Sequence, residues 1–471
     1  MTALWTQGEL SVALGAAPSS LLSTAVNGVS IDSRTLESGD LFFAIRGDAH
    51  DGHDHVARAF EAGAAAAVAA RERAPRLAAL GPVFAVDDTL KAMERLGVAA
   101  RVRSKAKIVA VTGSVGKTTA KEMLRAMLTA CGVTHASAAS YNNHWGVPLT
   151  LARMPANARF GVFEMGMNHA GEIAPLTRMA RPHVALVTTI APVHIEYLGS
   201  IEAIADAKAE IFLGLEAHGT AVLNRDAPQF ERLKKVAAAR GARVWSFGRR
   251  ADCDAQLLEV EAIDGRSGVR ARILGREFAF ELGAPGVHMA ENALGALLAA
   301  DALGAELDVC TAELLHFSPR KGRGERFSIP TPDGPATIID ESYNANPASM
   351  RAALALLAAA KPGPKGRRIA VIGDMLELGP EAAAMHAELA PDLSANNVDL
   401  LFGAGPLTRA LYEAAPASMR AAWTERSSDL TDEVARALRG GDIAMVKGSN
   451  GSGMGPLVAA LRDRFAHTAG G

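Results

Sequence analysis

Residues 112–119 read Thr-Gly-Ser-Val-Gly-Lys-Thr-Thr. Glycines, a lysine and a hydroxyl residue in this order can cradle phosphate. The glycines let backbone N–H groups converge, Lys117 neutralises phosphate oxygens, and the Thr118 hydroxyl can ligate magnesium. Only Ser114 and Val115 separate Gly113 from Gly116, whereas the common phosphate loop has about four residues there. The loop is therefore tight, not absent. Thr112, Gly113, Ser114, Val115, Gly116, Lys117, Thr118 and Thr119 form the expected ATP site. Polar residues recur at the ends of β-branched runs: Glu164 after "GVF", His194 after "VALVTTIAPV" and Asp340 after "ATII". Glu164 would face the loop as an acidic group. Asp340 is suited to accept hydrogen bonds from the ribose hydroxyls of ATP. Tyr343, Asn344 and Asn346 follow it in a turn closed by Pro347 and would reach the nucleotide. From "GRGER", either Arg323 or Arg326 should contact phosphate or ribose. Asn292 lies in a helical run and offers one donor and one acceptor to an adenine edge.

The elements that must hold these groups follow from periodicity. "KIVAVTG" reads as a strand and "KTTAKEMLRAMLTAC" as a helix, so the glycine turn between them lies at a helix N-terminus, a natural anion site. "FGVFEMG" and "VALVTTI" are further β-branched runs, the pattern of a parallel sheet with crossover helices. Residues 255–282 alternate polar and apolar positions and predict a small antiparallel insert. After the charged link "SPRKGRGER", strand and helix alternate again through "TIID", "RIAVIGDM", "VDLLFGAG" and "IAMVKGSNG", predicting a doubly wound domain. The expectation is α/β with three domains: residues 1–103, a central phosphate-loop ATPase-type unit over 104–318, and a Rossmann-like unit over 319–471.

Composition agrees with this class. A chain of 471 residues is too long for one core. Lys and Arg number 49 against 51 Asp and Glu, a net charge of -2, which argues against nucleic acid as a partner. The N-terminus lacks a cationic start, and no apolar run has the length of a membrane span, so a cytoplasmic enzyme is expected. Cys131, Cys253 and Cys310 lack metal-ligand spacing and read as buried structural thiols in a reducing compartment.

The short loop resembles that of the Mur ligases, the ATP-dependent amide-forming enzymes of peptidoglycan precursor synthesis. The resemblance extends through "VSIDSRTLESGDLFFAIRGDAHDGHDH", "YNNHWGVPLTL", "HMAENALGA", "IIDESYNANPASM" and "VIGDMLELG". "SYNANP" with "GDMLELG" is most similar to the members that add D-alanyl-D-alanine to UDP-N-acetylmuramoyl-tripeptide. The sister members adding a diamino acid and the folylpolyglutamate synthases are the alternatives. The Asp-Asn-Pro-Arg signature of those sisters is absent, and a uridine-type domain precedes the loop. The resemblance implies ATP and magnesium chemistry on small-molecule substrates, in a protein expected to be a monomer.

It also implies residue roles. Ser30, Asp32, Ser33 and Arg34 of "SIDSR" would bind the uridine diphosphate, for which the Arg34 fork is suited. Thr118, Glu164 and His194 would hold metal, His194 a second ion. Lys208 has only donors as an ammonium and cannot ligate metal. In the family the matching lysine is carbamylated and becomes anionic. Asn142 and Asn143 would touch substrate and phosphate, although their residue types equally fit capping a helix near Pro148. His169 and His183 read as structural. Asn450 and Gly455 depart from the family's usual ending after Lys447.

Overall fold

The computed structural model describes residues 3–47, 50–137, 140–193 and 195–466. Three sheets organise it. The first is parallel, with β1 (Gly28–Ser30), β2 (Asp40–Phe43), β3 (Ala66–Ala70) and β4 (Val83–Val86) in chain order.

The central sheet holds β5 (Lys107–Thr112), β6 (Thr134–Ala136), β7 (Phe160–Glu164), β8 (Val184–Val187), β9 (Thr220–Asn224), β10 (Arg243–Gly248), β11 (Ala255–Ile263), β12 (Arg266–Ile273) and β13 (Arg276–Leu282). Their order is β13-β12-β11-β10-β9-β8-β5-β7-β6. Strands β6 to β10 are parallel to their neighbours, β11 joins β10 in parallel, and β11, β12 and β13 form the antiparallel insert. β5 sits inside the sheet and is buried apart from Lys107. Because side chains alternate along a strand, Val109 and Val111 pack beneath the helices Lys117–Cys131 and Val287–Ala302, while Ile108 and Ala110 enter the core on the opposite face. Both faces are covered, which explains the continuous apolar run "IVAV".

The third sheet contains β14 (Glu325–Thr331), β15 (Gly334–Glu341), β16 (Arg368–Gly373), β17 (Leu400–Ala404), β18 (Arg420–Thr424) and β19 (Ile443–Lys447), ordered β14-β15-β19-β16-β17-β18. All neighbours are parallel except β14 with β15. β15 and β16 are consecutive in the chain but flank β19, so the connection reverses there. Such reversals open a crevice at the carboxyl ends of the strands. β14 was not legible as a strand, because it begins within the charged link and ends at the Pro332-Asp333-Gly334 turn.

The cysteine expectation needs correction. Cys310 is buried, but Cys131 and Cys253 are only half-buried. Cys131 and Cys310, distant in sequence, bring their sulfurs within 4.0 Å.

Candidate active site

The glycine loop is shaped by two left-handed glycines, Gly113 at φ 147° and Gly116 at φ 87°. A Cβ at Gly113 would lie 2.0 Å from Thr188 Oγ1, and one at Gly116 would lie 2.5 Å from Asn292 Oδ1. Glycine is required there by space as well as by conformation. The Thr112 hydroxyl is spent on the Met165 carbonyl at 2.8 Å. Ser114 N–H donates to the Thr189 carbonyl, the Ser114 hydroxyl to Ala191 and the Thr188 hydroxyl to Val115. The loop is thus laced to the segment that follows β8. His194, at the end of that segment, lies outside the described residues.

Lys117 starts the loop helix and donates from Nζ to the Gly113 carbonyl at 2.7 Å. Burial pushes its ammonium below the usual lysine range; Glu164 opposes that shift and Arg323 adds to it. Glu164, at the end of β7, is buried. Its Oε2 accepts from Thr118 Oγ1 and its Oε1 from Asn142 Nδ2, both at 2.9 Å. A hydroxyl and a carboxylate side by side form a hard-oxygen pair. That donor set fits magnesium, which keeps waters and takes its remaining ligands from phosphates. Among the described residues no three His, Cys, Asp or Glu side chains cluster as a metal cage.

Lys208, near the end of the helix Ile201–Ala209, is buried at 1% exposure. Desolvation, with Lys117 adding to it, drives its ammonium well below the usual range. That shift favours the neutral amine, the form that reacts with carbon dioxide.

A cavity of about 420 Å³ joins the loop to the third sheet. Ser114 to Thr119, Asn142, Glu164 and Asn292 line its central-domain wall, while Arg323, Tyr343, Asn344 and Asn346 line the other. Of the two candidate arginines, Arg323 lines the cavity, and its guanidinium stacks 3.9 Å from the Tyr343 ring centre. Arg326 lies in β14, paired with Ile339, and does not reach the cavity. Asn346 also caps the helix Pro347–Ala359 by accepting the Ser349 amide.

Asp340, expected at the ATP ribose, does not border the cavity either. It is fully buried and absent from the lining, with its carboxylate accepting Gly322 N–H at 2.9 Å and the Ser342 hydroxyl at 2.6 Å. It fastens the link to the turn. The acid of this strand that lines the cavity is Glu341, the next residue along. Asn143 accepts the Gly146 amide at 2.9 Å, two residues ahead of Trp145, the N-cap of the helix Gly146–Ala152. Arg34 grips Asp32 through two nitrogens, at 2.9 and 2.7 Å, and holds that carboxyl at about 2. The Ser30 hydroxyl bonds within the same turn, and Ser33 is buried beside it. None of Ser30, Asp32, Ser33 and Arg34 borders the cavity. His183 is structural, with Nδ1 accepting the Ile108 amide and burial lowering its pKa to about 4.

Comparisons with known proteins cover the whole arrangement. The Mur ligase middle domain matches residues 111–300, the Mur ligase glutamate ligase domain residues 322–450, and the Mur ligase family catalytic domain residues 25–96. The chain is 34% identical to the UDP-N-acetylmuramoyl-tripeptide–D-alanyl-D-alanine ligase of Bacillus subtilis, over 93% of each chain. The chain belongs to the Mur ligase family. Its similarity to the Escherichia coli ligase of the same name is also 34%, over 93% of this chain and 94% of that one. Among solved structures, MurF from Acinetobacter baumannii superposes with a TM-score of 0.84 at 28% identity, covering 98% of this chain and 99% of that one. As a Mur ligase the protein is an ATP-dependent peptide ligase. Two cavity residues of this Mur ligase, Glu341 and Lys447, were missed as site residues from sequence. The available signal was their position at the carboxyl ends of two adjacent strands.

Proposed function

We propose that this Mur ligase adds D-alanyl-D-alanine to UDP-N-acetylmuramoyl-tripeptide, completing the peptide of a peptidoglycan precursor. The observation that carries this is near-full-length similarity to ligases bearing that name. Acting on such a precursor would make it a cytoplasmic protein on which cell shape and division depend. Its proposed units are residues 1–103 for the uridine nucleotide, 104–318 for ATP, and 319–471 for nucleotide and dipeptide.

A carboxylate resists amide formation because oxide is a very poor leaving group. The tripeptide's terminal carboxylate oxygen attacks the γ-phosphorus of ATP, releasing ADP and leaving an acyl phosphate. The dipeptide amine then attacks the acyl carbon, and phosphate departs as the amine loses its proton. Two anions must meet in the first step, within ~3 Å. Lys117 and Arg323 supply fixed positive charge where the transferred phosphate develops its own. Thr118 and Glu164, together with His194 and a carbamylated Lys208, would hold magnesium, which screens the remaining phosphate charge. Asn142 orients Glu164 from behind. Asn292, Tyr343, Asn344 and Asn346 surround the nucleotide, and Glu341 takes the ribose role that Asp340 was expected to fill. Ser30, Asp32, Ser33 and Arg34 remain the proposed uridine-diphosphate turn, with Arg34 exchanging Asp32 for diphosphate on binding.

Three reactions with purified protein, ATP and magnesium test the assignment. They pair D-alanyl-D-alanine with the UDP-tripeptide, diaminopimelate with the UDP-dipeptide, and glutamate with a folate. Mass spectrometry should find product only in the first. Product in either of the others without it overturns the proposal.

A further inference from the structure

β15 and β19 run side by side, and their register pairs Glu341 with Lys447. Both side chains therefore emerge together at the rim where the third sheet meets the cavity. Lys447 Nζ donates to the Asn344 carbonyl at 2.9 Å and faces Glu341 Oε2 at 3.5 Å. The two side chains are only 3% and 15% exposed. On its other side Glu341 meets the link. Gly324 sits at φ 101°, and a Cβ there would lie 3.2 Å from Glu341 Oε1. The carboxylate is thus held between a lysine and a glycine that leaves it room. His288, half-buried in the cavity wall, lies within the field of both charged groups.

A glutamate at a cavity rim has several rotamers, and ordering it for a ligand costs conformational entropy. Lys447 removes that freedom in advance. It also fixes Asn344, and through it the turn carrying Tyr343, on which Arg323 stacks. An ion pair this enclosed is strongly asymmetric. Together its members satisfy one another, whereas loss of the lysine leaves the carboxylate poorly compensated in a place it must still occupy.

We propose that Lys447 is a positioning residue for nucleotide recognition, holding Glu341 and the Asn344 backbone so that the Glu341 carboxylate accepts hydrogen bonds from the ATP ribose hydroxyls. This rests on the nucleotide reading of the cavity given above.

Equilibrium binding separates this role from a general structural one. ATP and 2′,3′-dideoxy-ATP are titrated calorimetrically into the full chain with magnesium and without the other substrates. The dideoxy nucleotide lacks both hydroxyls, so the wild type should prefer ATP by about tenfold or more, the scale of one charge-assisted hydrogen bond. In Lys447→Met and in Glu341→Gln the preference should fall close to unity, chiefly through weaker ATP binding. The double variant should lose little more than either single one. Lys447→Arg should recover part of the preference. In turnover, Lys447→Met should raise KM for ATP more than it lowers kcat.

A folded Lys447→Met that keeps the wild-type preference overturns the inference. So does an equal weakening of both nucleotides, which would mean a contact to phosphate. Should Lys447→Met fail to fold, an undiminished preference in Glu341→Gln is equally decisive against it. Wild-type protein that binds neither nucleotide sinks the underlying reading and this inference with it. Ribose discrimination without pentapeptide product would overturn the proposed reaction while leaving Lys447 its role.

Discussion

Lys208 is a residue whose surroundings change its chemistry. Its ammonium is held well below the usual lysine range by burial and by Lys117, so the neutral amine persists at pH values where an exposed lysine is charged. Carbon dioxide adds to that amine and yields an anion with oxygens that can serve a metal. If the carbamate is needed, protein prepared in carbon-dioxide-free buffer should lose activity and regain it with bicarbonate. Lys208→Ala should fall by about 100-fold or more and be partly rescued by short carboxylic acids. Full activity without carbon dioxide counts against the modification. At this scale sequence was informative about which groups meet: Lys117, Thr118 and Glu164 line one cavity, as residue type and spacing suggested. It failed between neighbours. Asp340 and Glu341 are both acids at one strand end, but successive side chains point to opposite sides, and only the fold determines which side faces the cavity. Arg323 and Arg326 were undecidable for a related reason: one lies in a turn, the other in a strand the charged link concealed.

Among elements, the glycine loop gives the sharpest test. Gly116 and Gly241 both have positive φ, at 87° and 71°. A Cβ at Gly241 would meet nothing within 4 Å, whereas one at Gly116 would strike the Asn292 amide. Alanine at either position should cost roughly 1–2 kcal/mol of stability for the left-handed backbone. Only Gly116→Ala should also weaken ATP binding, because it displaces Asn292. Denaturant melts and nucleotide titrations of the two variants measure these effects separately, and equal ATP affinity in both would disconnect Asn292 from the loop. Elements buried on both faces, such as β5 and β7, were readable as unbroken apolar runs. The register between strands was not, and register is what places Lys447 against Glu341.

At the scale of the molecule, sequence predicted three α/β units but not which surfaces meet. The link contributes directly to that meeting. Arg320 reaches Glu122 of the loop helix at 2.6 Å, and Gly322 donates to Asp340, so the connector is fastened at both ends near the cavity. The central core carries a further consequence. Val109 and Val111 are sealed by Leu294 and Leu297, and by Cys310, Leu314 and Phe317, all contributed by chain made long after β5. Ribosomes add ~5–20 residues per second, so β5 waits for this part of its cover on the order of ten seconds or more. A fragment ending at residue 282 has every strand of that sheet and the helix Lys117–Cys131, yet lacks the other covering helix, Val287–Ala302, and the segment after it. It should bind a hydrophobic dye and be cut rapidly by protease, while one ending at residue 320 should do neither to the same extent. Equal protection of the two fragments would refute this. On this expectation, translation would leave the central sheet open to chaperones for that interval, and slow codons between β13 and residue 317 would lengthen it without changing a single amino acid.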